Sequence, residues 1–135
     1  MPGHAFRTAV EGGDLDGAVA LLADDVVFRS PAVFRPYQGR DTVETILRTV
    51  FGVFEDFRYT DELEADGVHA LIFNARVGDK SVQGVDLLRS DDDGLITEFT
   101  VMVRPASALM ALGEAMAPKV EGLAKADASA QPSAN

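Results

Sequence analysis

The chain has 135 residues, of which 47% are hydrophobic and 25% charged, values that are ordinary for one globular domain. Twelve Lys and Arg against 22 Asp and Glu give a net charge of −10, which repels phosphate backbones and anionic lipid and argues against nucleic-acid or membrane-surface binding. The chain has no cysteine for disulfides or thiolate chemistry, no leader pattern and no apolar run of about 20 residues, so we expect a cytoplasmic protein.

The N-terminal part predicts two short helices and a strand. Phe6 begins an apolar pattern at helical spacing, and Asp14 can cap a second helix whose apolar positions extend to Leu22. Val26–Ser30 is a short strand that a proline ends, and residues 32–40 are predicted to form a loop.

A longer helix follows this loop. Asp41 and Glu44 have the spacing of a capping box, in which each side chain caps a backbone amide at the start of the helix. The helix behind them carries one continuous apolar stripe, formed by Val43, Ile46, Leu47, Val50, Phe51 and Phe54. Such a stripe must be buried, and the only large partner the sequence offers is a sheet.

From Phe57 the apolar period changes to two, which predicts a meander of four strands joined by hairpin turns. The turns fall at Asp66-Gly67, at Gly78-Asp79 and in the acidic run Ser90–Gly94. Apolar residues on both faces of the last two strands argue against a sheet with one solvated side. The order of elements predicts an α+β domain.

Asp86 is the one carboxylate that this alternation places among apolar neighbours. It shares a strand face with Val82, Gly84 and Leu88, and we predict that this face meets Phe99 on the next strand. Poor hydration there would raise the pKa of Asp86. The alternative is a purely structural Asp86, hydrogen-bonded to Arg76, Tyr59 or a backbone amide, and the choice depends on a strand register that the sequence does not give.

The opposite face of the same two strands is also apolar. It carries Val85, Leu87 and Met102, and we predict that these residues form the interface of a homodimer. Beyond Pro105 the pattern indicates a short amphipathic helix that ends before Pro118. Residues 1–121 are predicted to form a single domain, and residues 122–135 a disordered tail.

The chain resembles the SnoaL-like branch of the NTF2-like superfamily, which also includes ketosteroid isomerase and polyketide cyclase-like proteins. Three strings carry the resemblance: EGGDLDGAVALLADDVVFRSP, YQGRDTVETIL and GVDLLRSDDDGLITEF. It implies a curved, mixed or largely antiparallel sheet wrapped around helices, forming a cone with an internal pocket, in a protein that is usually dimeric. Fold alone does not fix function in this superfamily.

The resemblance assigns one of three ketosteroid isomerase groups to this chain. Asp86 matches the aspartic acid that donates a hydrogen bond to the developing oxyanion. Ser30 stands where the isomerase has its basic aspartate, and Phe6 stands where it has an oxyanion-hole tyrosine. A serine without its own base cannot abstract a proton from carbon, so the chain is not a standard ketosteroid isomerase. The arginine of the related epoxide hydrolases is also absent from Gly84-Val85-Asp86.

Asp86 is therefore the predicted catalytic residue. The predicted ligand-binding residues are polar or aromatic side chains near the expected pocket, together with one valine: Ser30, Tyr59, His69, Phe28, Phe54, Phe99 and Val101. For the first three the structural alternatives are a serine that caps local backbone, a tyrosine with a solvated hydroxyl, and an exposed histidine. The triple aspartate Asp91–Asp93 lacks the alternating spacing of a calcium loop, and we predict neither metal nor cofactor.

These observations predict a protein that binds a small apolar or cyclic ligand with Asp86 as polar anchor. If it is an enzyme, the expected reaction is a cofactor-free isomerisation, cyclisation or dehydration. The alternative is a catalytically silent dimeric binding or scaffold domain in which Asp86 is structural. A polar ligand held by Arg76 and Asn74 is a third option.

Overall fold

The structure is a computed structural model that describes residues 4–130, with side chains described for residues 4–120. It contains four helices and six strands, in the order α1 (Ala5–Glu11), α2 (Leu15–Val19), β1 (Leu22–Arg29), β2 (Tyr37–Gln38), α3 (Arg40–Val53), β3 (Glu55–Ala65), β4 (Val68–Val77), β5 (Lys80–Ser90), β6 (Ile96–Arg104) and α4 (Ala106–Ala130). Residues 131–135, at the end of the predicted tail, lie outside the described part.

The strands form one curved sheet in the order β2-β1-β6-β5-β4-β3. Strands β3 to β6 are the predicted antiparallel meander, and β1 pairs in parallel with β6, which makes the sheet mixed. The α+β architecture predicted from the sequence is confirmed. Strand alternation explains which residues face inward: along β5, Val82, Gly84, Asp86 and Leu88 are buried, while the residues between them are partly exposed.

The concave face of the sheet and the helices enclose the core. Phe6 of α1, Leu71 of β4, Leu88 of β5 and Ile96 of β6 are completely buried in it. The predicted apolar stripe of α3 is confirmed, since Val43, Ile46 and Leu47 are buried and the rest of the stripe packs against the core. Burial of this stripe against the sheet, rather than local propensity, holds α3 in place.

The predicted capping box of α3 is wrong. The helix begins at Arg40 after Gly39, whose φ of 96° is a left-handed conformation that glycine adopts without strain and that offers no side chain for a cap. Asp41 lies in the first turn, where a carboxylate stabilises the helix dipole. Glu44 accepts a hydrogen bond from Arg48 Nε at 2.8 Å and caps nothing.

Three other boundaries differ from the sequence prediction. Leu22 belongs to β1 rather than to the second helix, because it pairs with Ile96 of β6. The predicted loop of residues 32–40 contains β2, which pairs with the end of β1. Helix α4 continues through Pro118 to Ala130, beyond the predicted end.

The division into a domain of residues 1–121 and a tail stays a prediction. Among the described helices, none is long and apolar enough to cross a membrane.

Candidate functional site

A cavity of about 400 Å³ lies between the concave face of the sheet and helices α3 and α4. It reaches the surface where the loop residues Ala32 and Val33 and the α4 residue Ala117 are exposed. Its wall is almost entirely apolar, and the lining residues are Phe28, Ser30, Pro31, Ala32, Val33, Tyr37, Ile46, Leu47, Val50, Phe51, Phe54, Phe57, Phe73, Asp86, Phe99, Val101, Leu109, Leu112, Gly113, Met116, Ala117 and Val120. A volume in the range of roughly 300–1,000 Å³ is typical of small-molecule sites.

Asp86 supplies the only carboxyl group among these lining residues. Its register places it between Leu71 of β4 and Val101 of β6, so its side chain rises from the middle of the sheet into apolar surroundings. Only 5% of its surface is exposed. The strand alternation that predicted this burial is confirmed, and Asp86 is the one buried charged residue of the described core.

Tyr59 is the partner of Asp86. Its hydroxyl donates a hydrogen bond of 2.9 Å to Asp86 Oδ2 inside the core. Burial raises the pKa of Asp86 from 3.8 to about 7, although the hydrogen bond from Tyr59 opposes this increase. Burial and the neighbouring Asp86 also raise the pKa of Tyr59 far above its usual value, so Tyr59 remains a neutral donor.

Arg76 does not neutralise Asp86. Its guanidinium donates to Asp56 Oδ2 from Nε at 2.9 Å and from Nη2 at 2.8 Å, and Nη1 donates to Gly78 O at 2.7 Å. Strand register explains this, because Arg76 lies opposite Ser81, five positions along β5 from Asp86. The carboxyl group therefore lies in an apolar cavity with a neutral partner, which is the environment that favours its protonated form.

Aromatic rings form much of the wall around this carboxyl group. Phe57 stacks on Phe73 with a centroid distance of 4.9 Å, and Phe54 contacts Phe73 at 5.5 Å and Phe57 at 5.6 Å. Phe73 can lie across the sheet because its neighbour on β5 is Gly84, where an added Cβ would overlap Phe73 Cζ. Gly84 is thus required by close packing, not by an unusual φ.

Four apolar residues predicted to bind ligand, Phe28, Phe54, Phe99 and Val101, do line the cavity. Ser30 also lies in the wall, near the opening, and its Oγ accepts hydrogen bonds of 3.0 Å from the backbone amides of Ala32 and Val33. Its hydroxyl therefore orders the loop at the cavity opening.

Tyr59 and His69, which were also predicted to bind ligand, lie outside the cavity wall. The phenol of Tyr59 is buried behind Asp86 rather than solvated. His69 makes an edge-on ring contact of 4.5 Å with His4, and its Nδ1 is buried without a hydrogen-bond partner among the described residues. His69 and Asp86 are therefore not brought together at the cavity.

The sequence reasoning missed the contribution of α4 and of Tyr37. Their residues line the cavity, but the sequence pattern predicts a short helix and places Tyr37 in a loop. The usable signal was the apolar spacing of Leu109, Leu112, Met116 and Val120, which continues past Pro118 at i, i+3, i+7 and i+11. Within the described residues, no group of three or more His, Asp and Glu side chains could hold a metal ion.

Comparison with known proteins identifies the family. The family model for the SnoaL-like domain matches residues 4–99. The chain belongs to the SnoaL-like family. A comparison with curated proteins found no match.

Solved structures of this fold include two with substantial sequence identity. A steroid delta-isomerase from Pseudomonas aeruginosa is 43% identical, with 93% of this chain and 98% of that chain covered and a TM-score of 0.78. An uncharacterized protein with a cystatin-like fold from Silicibacter pomeroyi DSS-3 is 36% identical, with 90% of this chain and 86% of that chain covered and a TM-score of 0.81. The fold is shared by a protein of unknown function with a cystatin-like fold from Xanthomonas campestris. It is 24% identical, with 80% of this chain and 92% of that chain covered and a TM-score of 0.64. The predicted SnoaL-like, NTF2-like assignment is confirmed.

Proposed function

We propose that this SnoaL-like protein binds a small apolar cyclic ligand in its cavity and holds the ligand's one polar end at Asp86. The observation that carries the proposal is a buried carboxyl group, with a pKa of about 7, in the wall of an otherwise apolar cavity. A buried polar group of this kind favours a ligand whose oxygen can hydrogen-bond to it, because water in the apolar cavity is a poor alternative. The rest of the ligand would contact phenylalanine and aliphatic side chains.

The same carboxyl group is suited to proton transfer. With a pKa near neutrality both of its forms are populated, so Asp86 can accept a proton from a ligand carbon or hydroxyl and return it elsewhere on the ligand. The similarity to a steroid delta-isomerase supports an isomerase-type reaction. Ser30 offers no base, since its hydroxyl oxygen accepts hydrogen bonds from backbone amides. Phe6, packed at 5.2 Å on Phe99, offers no hydrogen-bond donor. Proton transfer would therefore rest on Asp86, with Tyr59 holding its carboxyl group from behind. We therefore propose a cofactor-free isomerase, cyclase or dehydratase.

Two substitutions at Asp86 test binding and chemistry separately. Asp86→Leu keeps the size of the side chain but removes its polarity, and Asp86→Asn keeps a hydrogen-bonding amide that cannot transfer a proton. In a thermal-shift screen with steroids, phenols and terpenoids, ligand at 100 times its Kd adds about 2.7 kcal/mol to stability, which raises Tm by several degrees. We expect the wild type to show this shift and Asp86→Leu to lose most of it. An equal shift in both proteins would contradict the role of Asp86.

The chemical step is tested with an unconjugated 3-keto steroid, by following formation of the conjugated enone by ultraviolet absorbance. We expect slow turnover by the wild type and none by Asp86→Asn. Turnover that survives in Asp86→Asn would assign proton transfer to another group.

A second candidate is a catalytically silent dimeric scaffold domain. It is favoured by the outer face of the sheet, where Met102 is 53% exposed beside Val85 and Ile72. They lie in a shallow, mostly apolar groove whose wall also includes Val103, Gln83 and Arg104. In this case Asp86 and Tyr59 would be a structural pair, and the homodimer predicted through Val85, Leu87 and Met102 would be the functional unit. Light scattering after size exclusion tests it: a dimer that Met102→Glu dissociates supports this candidate, and a monomeric wild type contradicts it. A cytoplasmic location remains a prediction from the sequence.

A further inference from the structure

Helix α4 forms one wall of the cavity with a single apolar stripe. The helix contacts β5 and β6, so this wall faces the strand that carries Asp86. The stripe consists of Leu109, Leu112, Gly113, Met116, Ala117 and Val120. Gly113 is the one member of the stripe that has no side chain.

Nothing in the local structure requires glycine at this position. Glycine destabilises a helix interior relative to alanine, and Gly113 has ordinary helical backbone rather than a left-handed φ. Apart from its two chain neighbours and the backbone of its own helix, a Cβ added there would have no heavy atom of the described residues within 4 Å. Gly84 differs in this respect, because Phe73 and the backbone of Met102 leave no room for a Cβ there. Because Gly113 is one of the residues that line the cavity, this open space adjoins the cavity.

The volume of the cavity decides how large a ligand it can hold. An apolar cavity of about 150 Å³, left when one leucine is removed from a protein core, binds a single benzene ring. The cavity between the sheet and helices α3 and α4, at about 400 Å³, has room for more than one fused ring. Since removing one leucine opens a cavity of about 150 Å³, a leucine introduced at position 113 would fill on the order of 100–150 Å³ of this cavity.

We infer that Gly113 is a specificity-determining residue, whose missing side chain lets the cavity accept a ligand of several fused rings rather than one. This inference rests on the proposed function, since it concerns the ligand that Asp86 anchors. The class of ligand is a polycyclic, mostly apolar molecule with an oxygen at the end that meets Asp86.

Phenol, 2-naphthol and estradiol are suitable probes because each carries a phenolic hydroxyl on one, two or four rings. A phenolic hydroxyl can donate or accept a hydrogen bond, so the series varies ring number at either protonation state of Asp86. The variants are Gly113→Ala and Gly113→Leu. Gly52→Leu is the matched control, because Gly52 also lies in a helix with open space at its Cβ but is exposed and does not line the cavity.

We expect isothermal titration to show that Gly113→Leu raises the Kd of estradiol by roughly tenfold or more, because the new side chain overfills the site. The Kd of phenol should stay within about twofold of the wild-type value. The Kd of estradiol for Gly113→Ala should lie between those of the wild type and Gly113→Leu. Gly52→Leu should have wild-type Kd values for all three probes. Both leucine variants should have a Tm at or above that of the wild type, because each removes a glycine from a helix.

Estradiol binding that is unchanged in a folded Gly113→Leu protein would overturn the inference while leaving the proposed function intact. A large fall in the Tm of Gly113→Leu alone would also overturn it, since the side chain would then have met packed atoms rather than open space. A wild-type protein that binds none of the probes would instead refute the proposed function itself, and the inference with it.

Discussion

Replacing Asp86 with asparagine should change how the stability of the protein depends on pH. Raising the pKa of Asp86 from 3.8 to about 7 on folding means that, between these values, the folded protein holds a proton that the unfolded chain has released. The unfolded state then binds fewer protons, so the free energy of unfolding falls as pH rises. The stability that this proton contributes is complete below pH 3.8 and is lost as pH rises through 7. The asparagine side chain does not titrate, so the variant does not lose this stability as pH rises.

The magnitude follows from linkage. The full shift is equivalent to about 4 kcal/mol, of which about 2 kcal/mol is lost between pH 5.5 and pH 8. That window avoids the sequence pI of about 4.5, where the net charge vanishes and association is favoured. Over this range, the stability of Asp86→Asn minus that of the wild type should rise by about 2 kcal/mol, whatever constant offset the substitution adds.

Urea unfolding followed by circular dichroism at five or six pH values measures this difference. His4, whose pKa is lowered chiefly by burial, is present in both proteins, so its effect on stability cancels in the comparison. A difference that stays constant within about 0.5 kcal/mol from pH 5.5 to pH 8 would show that Asp86 is ionised throughout this range and has no raised pKa.

Three further substitutions have defined outcomes. Tyr59→Phe removes the hydrogen bond to the Asp86 carboxylate, which is worth about 1.5–3 kcal/mol. The midpoint of the Asp86 titration, followed by carbon-13 NMR, should therefore rise by about one to two pH units. An unchanged midpoint would contradict the contact. Gly84→Ala should destabilise the fold by about 1–3 kcal/mol in urea, because the new Cβ overlaps Phe73, and wild-type stability would show that this ring has room to move. Arg76→Ala should leave the Asp86 midpoint unchanged in the same NMR titration, whereas a clear rise would reveal an electrostatic coupling that the structure lacks.

The burial of Asp86 could be predicted because a strand alternates its side chains strictly. Once β5 was recognised, its apolar neighbours on one face, such as Val82 and Leu88, fixed the direction in which the carboxyl group points. The position of the cavity followed from family resemblance and not from spacing. The helical stripe of α3 was equally reliable, because it repeats over three turns.

The partner of Asp86 could not be predicted, because it depends on register and on packing across strands. Arg76 and Tyr59 were both candidates, and only the pairing of β4 with β5 shows that Arg76 lies too far along the sheet. Tyr59 pairs with Phe73 on β4 and reaches past that strand to Asp86 on β5. Single-strand patterns carry no information about such a contact.

Gly113 was missed for a related reason. The sequence shows a glycine in a weak helical pattern, and only the placement of α4 over the sheet reveals that the glycine borders open space. The predicted end of α4 before Pro118 was wrong because a proline removes one backbone hydrogen bond, while the apolar stripe continues to pack beyond it.

A crystal structure of the protein with estradiol would test the central claim most directly. The account predicts that the ligand occupies the cavity between α3, α4 and the sheet, with one of its oxygens within about 3.2 Å of the Asp86 carboxyl group. A ligand bound elsewhere, an empty cavity at saturating estradiol, or a ligand oriented with both oxygens away from Asp86 would contradict it.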